Sequence, residues 1–323
     1  MKRRSLFPAL VAAFFFLVVL NLLIGAWSRR LPYRIKLNEI RSAQAPNLLF
    51  VGNSLLAQRV DEGALVQGFG DTRLRPLNAA LGASGPPEHE LLFNYAVRTH
   101  PEIRTLVIGF FDQQLTADTK DHAIDLTGNR LVGFDHRFSS TEVSAVYGFG
   151  SLDRMELVIL RRLPIAANRQ SVWKYVELLR RRMGGMGMPQ VAANSMGNVS
   201  DFAALEASSP AAFDQALRNY LDHPGHFSPP YEAIIRHAEA ANIKVILVSM
   251  PMSPSHWSSF YSRPSWNAYL SALHSLAGDR KLRLIDASGW MTSEDDFVDH
   301  LHMSKDAAHR FSMRLGQELA GTL

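Results

Sequence analysis

The sequence predicts an α/β fold, a three-layer α/β/α sandwich around a mainly parallel sheet, with an N-terminal transmembrane helix and a mostly helical insertion. Three observations lead there. The apolar run at 48–51 lacks polar alternation, the pattern of a strand buried on both faces of a parallel sheet, 105–111 reads as another buried strand, and further strands read at 74–80, 243–250 and 282–285. Stretches of helical composition separate most of these runs, which implies βαβ crossovers with helices on both faces. A chain of 323 residues, 47% of them hydrophobic, is enough for one large packed domain with an insertion.

Taken in order, residues 1–36 hold seven Lys or Arg and no acid. The whole chain has 34 basic and 30 acidic residues, so 37–323 carries 27 against 30, a net charge of −3. The basic excess therefore sits outside the folded body, which argues against a nucleic-acid partner. Between the flanking charges, 6–27 is an apolar run of 22 residues whose one strongly polar member is Asn21. That length crosses a bilayer once. It exceeds the apolar stretch of a secretory leader, and Ile24-Gly25-Ala26 is a poor small-x-small cleavage site, so an uncleaved anchor is favoured. Basic residues lie on both sides and charge alone does not orient the span. The expected organisation is an anchor with basic flanks over 1–36 and one domain over 37–323, with an insertion at about 112–230. With no cysteine, disulfides and thiolate metal sites are excluded.

The run Leu48-Leu49-Phe50-Val51 stops at Gly52-Asn53-Ser54, placing one hydroxyl at the carboxyl end of a buried strand, where ligands of open α/β sheets collect. Residues 55–69 read as a helix ending at Gly70, and 74–80 as a strand running into Asn78-Ala79-Ala80-Leu81-Gly82-Ala83-Ser84-Gly85. Pro86-Pro87 open a helix that continues to 99, and 105–111 is the third strand. From 112 to 230 helical pattern prevails, broken by a flexible connector, Gly184-Gly185-Met186-Gly187-Met188-Pro189; the insertion serves either as packing or as a lid or platform for a large substrate. Arg180-Arg181-Arg182 precede the connector at a helix C-terminus, where cations complement the dipole; contact with anionic polymer or lipid headgroups is the alternative. His223 and His226 lack a carboxylate at ligand spacing and read as solvated loop residues. The core resumes with a helix at 231–241 and a strand at 243–250, followed by Ser253, Ser255 and His256 as candidates to line a cleft. A helix at 266–277, a strand at 282–285 and a final helix at 305–319, capped by Ser304, complete the chain.

Ser54 alone would pass for a helix cap. A serine becomes a nucleophile when an imidazole takes its proton and a carboxylate orients that imidazole, and Asp299-His300-Leu301-His302 offers both in one turn. Asp286 is a rival carboxylate but has no histidine three residues on. On these residues the sequence resembles the SGNH (GDSL-type) hydrolase superfamily. Gly52-Asn53-Ser54 matches its first block, 78–85 its second, and Asp299 with His302 its last. In the second block a glycine N–H helps form the oxyanion hole, and Gly82 and Gly85 both remain candidates. The third block should read Gly-x-Asn-Asp but reads Gly109-Phe110-Phe111-Asp112, so the asparagine donor is missing. In that departure the chain is similar to membrane-anchored SGNH-like proteins of envelope polymer acylation, such as the D-alanyl-lipoteichoic acid transfer protein and the alginate O-acetylation proteins.

The resemblance implies a flavodoxin-like core with Ser54 as nucleophile, His302 as base and Asp299 as its orienter. Asn53, Gly82, Gly85 and Asp112 are the implied oxyanion or substrate-binding residues. The expected protein is a single-pass inner-membrane esterase or O-acyltransferase with its catalytic domain in the periplasm or otherwise outside the cytoplasm. It would act on acyl, chiefly acetyl, esters of an envelope or exported polysaccharide, with a membrane-embedded acyltransferase as a possible partner and no metal or cofactor. The alternative is a non-catalytic glycan-binding or assembly factor beside such an acyltransferase. Phe111 favours that alternative; a complete Ser, Asp and His set opposes it.

Overall fold

The computed structural model describes residues 6–57, 59–117, 132–183 and 210–321; the Gly184 to Pro189 connector lies outside them. Among these residues five strands form one parallel sheet: β1 (Leu48–Val51), β2 (Pro76–Asn78), β3 (Thr105–Phe110), β4 (Lys244–Ser249) and β5 (Arg283–Asp286), in the order β2-β1-β3-β4-β5. Every residue of β1 and β3 is buried, as unbroken apolar runs require, whereas the edge strands β2 and β5 are only partly covered. The chain leaves β1 towards one edge and returns through β3 towards the other. That reversal opens a crevice at the carboxyl ends of β1 and β3, the switch point where open α/β sheets bind ligands.

The described chain divides into two compact units, one comprising 39–117 and 210–321, the other 6–38 and 132–183. In the sheet-bearing unit, α3 (Ser54–Ala57) and α4 (Glu62–Phe69) link β1 to β2, and α5 (Pro86–Thr99) links β2 to β3. The single helix expected over 55–69 is thus two. Asp61 explains the break: its Oδ1 accepts the Ala64 N–H at 3.0 Å, a cap that starts a new helix. Later in the unit come α10 (Pro210–Asp222), α11 (Pro229–Ala240), α12 (Pro254–His256), α13 (Pro264–Asp279) and α14 (Lys305–Ala320), and α5, α11 and α13 each begin with the proline that a first helical position tolerates. Right-handed crossovers put α4 and α5 on opposite faces of the sheet. Accordingly α14 packs on α4 and α11 packs on α5, making three layers. The α4–α14 contact is backbone-close: a Cβ on Gly68 would lie 2.0 Å from the Met313 carbonyl oxygen, and one on Gly316 would lie 2.2 Å from that of Leu65.

The other unit holds α1 (Leu6–Ser28) with α6 (Ser140–Tyr147), α7 (Ser151–Arg162), α8 (Pro164–Ala167) and α9 (Arg169–Met183). α2 (Pro32–Ser42) crosses the boundary between the units. Phe7–Ser28 has a mean hydropathy of 2.7 and is long and apolar enough to cross a membrane. α8 packs against α1, where the Asn21 side chain accepts the Ile165 N–H at 3.1 Å. Arg180 pairs with Glu177 one turn back near the carboxyl end of α9, at 4.0 Å.

Candidate active site

Ser54 stands at the mouth of β1 because two glycines let a leucine pass between the strand ends. A Cβ on Gly52 would lie 2.8 Å, and one on Gly109 2.3 Å, from Cδ1 of Leu56, so the Gly52 turn and β3 close tightly over the first residues of α3. The Asn53 Oδ1 accepts the Leu55 N–H at 2.9 Å. Asn53, not Ser54, therefore caps this helical turn, and the Ser54 hydroxyl is left for another partner.

That partner is His302. Its Nε2 lies 2.9 Å from Ser54 Oγ, and its Nδ1 lies 2.8 and 3.0 Å from the two Asp299 oxygens. Asp299 Oδ1 also accepts the Leu301 and His302 amides, at 2.8 and 2.7 Å, so the carboxylate folds the turn that carries its own histidine. The loop is tied at its base by a Phe297–Met303 bridge, and Ser304 caps α14 through the Ala307 N–H. Burial pushes the Asp299 carboxyl up, but the His302 ring and the two amides outweigh it and hold the carboxyl at about 2. With Asp299 ionised, Nδ1 carries the proton and Nε2 is free to accept one from Ser54.

The second-block turn flanks the serine. A Cβ on Gly82 would lie 3.9 Å from that of Ser54, and the Gly82 N–H has no partner among the described residues. Gly85 behaves differently, since its N–H donates to Glu88 Oε2 at 3.0 Å as the start of α5. Beneath the turn, Ser84 Oγ lies 2.6 Å from the Leu81 carbonyl and 2.9 Å from His89 Nε2, while His89 Nδ1 lies 2.8 Å from the Tyr231 hydroxyl. Since Ser84 donates to Leu81, His89 donates through Nε2 and accepts from Tyr231 through Nδ1, which requires a neutral ring. Burial pushes the His89 pKa down to about 3, in keeping with that state.

Asp112 follows β3 with a φ of 47°, a left-handed conformation uncommon for aspartate and often found at functional sites. Tyr261 holds it there, donating to Asp112 Oδ1 and accepting the Asp112 N–H, both at 2.9 Å, and His256 Nε2 lies 3.3 Å from the same oxygen. Tyr261 itself stacks on Trp266, with ring centres 3.8 Å apart. Sequence spacing gave no sign of Tyr261, which reaches Asp112 from 149 residues away. His256 also faces His300, the rings nearly parallel at 6.0 Å, and Nδ1 of each is buried without a partner among the described residues. Ser253 Oγ donates to the His300 carbonyl at 3.0 Å, while the Ser255 N–H donates to Glu294 at 2.7 Å. Asp286 turns back on its own loop, accepting the Ser288 N–H at 3.0 Å, and His223 and His226 are exposed. Gln114 was also missed; its Oε1 accepts from Asn53 Nδ2 at 3.3 Å.

No protein-family model and no curated protein matches the chain. Thirty-five solved chains match it. A GDSL-like lipase from Bacteroides thetaiotaomicron has a TM-score of 0.39 and 12% identity, over 90% of this chain and 98% of that one. The lipase/acylhydrolase from Enterococcus faecalis has a TM-score of 0.36 and 12% identity, over 85% and 96%. TesA has a TM-score of 0.36 and 13% identity, over 85% and 98%. At such scores the likeness carries no argument about this chain, whose reading rests on its own residues.

Proposed function

We propose that this chain is a membrane-anchored serine acyl-ester hydrolase or O-acyltransferase. The observation that carries the reading is the continuous chain from Ser54 Oγ through His302 to Asp299, with contacts of 2.9 and 2.8 Å at the sheet's switch point. Ser54 attacks the ester carbonyl as His302 takes its proton, and His302 then protonates the departing alcohol. The acyl group then passes from Ser54 to water or to a hydroxyl acceptor that His302 deprotonates, and His302 returns the proton to the departing Ser54 Oγ.

The oxyanion is met by the N–H groups of Ser54 and Gly82, Gly85 being committed to Glu88. For the donor lost at Phe111 we assign Gln114, because Asn53 engages its carbonyl oxygen and leaves its amide NH₂ available. An acetylated envelope polysaccharide as substrate, with a membrane-embedded acyltransferase as partner, is supported by the sequence resemblance alone, through the Gly52-Asn53-Ser54 and Asp299–His302 blocks and the departure at Phe111. The apolar α1 supports single-pass anchoring, and the sequence resemblance is what supports an inner membrane with the catalytic domain outside the cytoplasm.

The reading is tested by release of acetate from acetylated polysaccharide and from a simple aryl ester, with and without a deacetylated glycan acceptor. Turnover absent in Ser54→Ala supports it. Aryl-ester turnover unchanged in Ser54→Ala overturns it.

A further inference from the structure

We propose that α7 and α9 lie in the membrane interface on the carboxyl side of α1, each with an apolar stripe in the lipid, in a segment whose net positive charge suits anionic headgroups. The inference rests on the reading of α1 as an anchor and adds a second, lateral contact with the same bilayer. α7 has two apolar faces. Leu157 and Leu160 are buried within the unit, while Leu152, Met155 and Ile159 follow each other at helical spacing on another face and are exposed, Leu152 to 76%. α9 repeats the pattern with Trp173, Val176 and Met183, of which Trp173 is 68% and Met183 82% exposed. Isolated exposed apolar residues are ordinary in proteins, but two successive helices with outward stripes are not.

The helix between them points to lipid as the occupant. α8 joins α7 to α9 and is fixed to α1: Asn21 accepts the Ile165 N–H at 3.1 Å, and Pro164 lies 3.4 Å from the Cβ position of Gly25. The one strongly polar side chain of the span thus caps the helix that carries both striped helices. At 1.5 Å per residue, Asn21 and Gly25 lie about 5 to 10 Å in from the Ser28 end of α1, the depth at which interfacial helices bury their apolar faces. Residues 151–183 contain eight Lys or Arg (154, 161, 162, 169, 174, 180, 181, 182) against three acids (153, 156, 177). A net charge of +5 suits anionic lipid, and Trp173 suits the interface.

The cysteine-free sequence allows a direct test on the full chain in nanodiscs of phosphatidylcholine and phosphatidylglycerol. Single fluorophores at Met155→Cys, Val176→Cys, Phe15→Cys and the exposed Ala240→Cys are challenged with aqueous iodide and with lipids carrying shallow or deep nitroxides. At 155 and 176 the expected result is shallow-nitroxide quenching, with iodide quenching at least about threefold weaker than at 240. Leu152→Glu with Ile159→Glu should abolish the contrast at 155. Iodide access equal to that at 240 overturns the proposal, as does shielding from both quenchers, which would mean that a protein covers the stripe. Deep-nitroxide quenching at Phe15→Cys reports the anchor separately, so α1 can span while the proposal fails. Lipid quenching at 155 and 176 with deep-nitroxide quenching at Phe15→Cys supports it, and lipid quenching at 155 and 176 alone overturns the placement beside a spanning α1.

Discussion

The relay side of the site and its oxyanion side are furnished to different degrees. On the relay side one loop sets both acid and base: Asp299 accepts two amides and the His302 ring, and His302 turns its remaining nitrogen to Ser54. On the proposed oxyanion side the residue just after β3 is Phe111, which donates nothing from its side chain, and Asp112 after it is held left-handed by Tyr261. A proton relay tolerates no gap because its members act in series. Oxyanion donors act in parallel, so one can be replaced from another point of the chain, as Gln114 is proposed to do.

The largest expected effects lie on the relay side. Ser54→Ala and His302→Ala should each lower ester turnover by about 10⁴ to 10⁶, and the double variant should be no worse than either. Additive losses in steady-state kinetics would break the series description. Asp299→Asn should cost up to about 10⁴, through loss of tautomer control. His300→Ala should be mild by comparison, since the His300 ring faces His256 and takes no part in the Asp299–His302 contact.

On the oxyanion side Gln114→Ala should lower kcat by about 10² with little change in KM. Phe111→Asn in that background should recover much of the loss, because it restores a side-chain donor at the position where the sequence resemblance expects one. No recovery, with the fold intact by circular dichroism, would separate Phe111 from the oxyanion.

The smallest effect is structural and lies under the oxyanion turn. Folding holds the His89 pKa at about 3, below the usual 6.5, so the unfolded chain binds the extra proton first. The neutral ring's contribution is complete above pH 6.5 and is lost as the pH falls towards 3, at about 1.4 kcal/mol per unit. Between pH 6.5 and 5 that is about 2 kcal/mol, which urea titrations of the wild type and His89→Gln should resolve as a slope present in the first and absent in the second.

How much of this was readable in sequence follows from the range of the interactions. Apolar runs reported β1, β3 and β4, and Pro86-Pro87 reported the start of α5, because burial on both faces and helix starts leave local marks. The 55–69 stretch was read through Asp61, whose capping signal was present but weaker than the apolar periodicity around it. The residues Ser54, Asp299 and His302 were legible because loop chemistry at strand ends is sparse and specific. Tyr261 and Gln114 were not, since each meets its partner, Asp112 or Asn53, across more than sixty residues with no spacing to betray it; His256 was expected at the cleft, but its contact with Asp112 was not.

The central claim is that Ser54 is the nucleophile, and covalent labelling tests it most directly. The full chain is treated with a serine-directed alkyl phosphonate and examined by intact mass and peptide mapping. One adduct on Ser54 is expected, absent in Ser54→Ala and much slower in His302→Ala. No adduct on the folded protein, or one formed at the same rate without His302, would contradict the account.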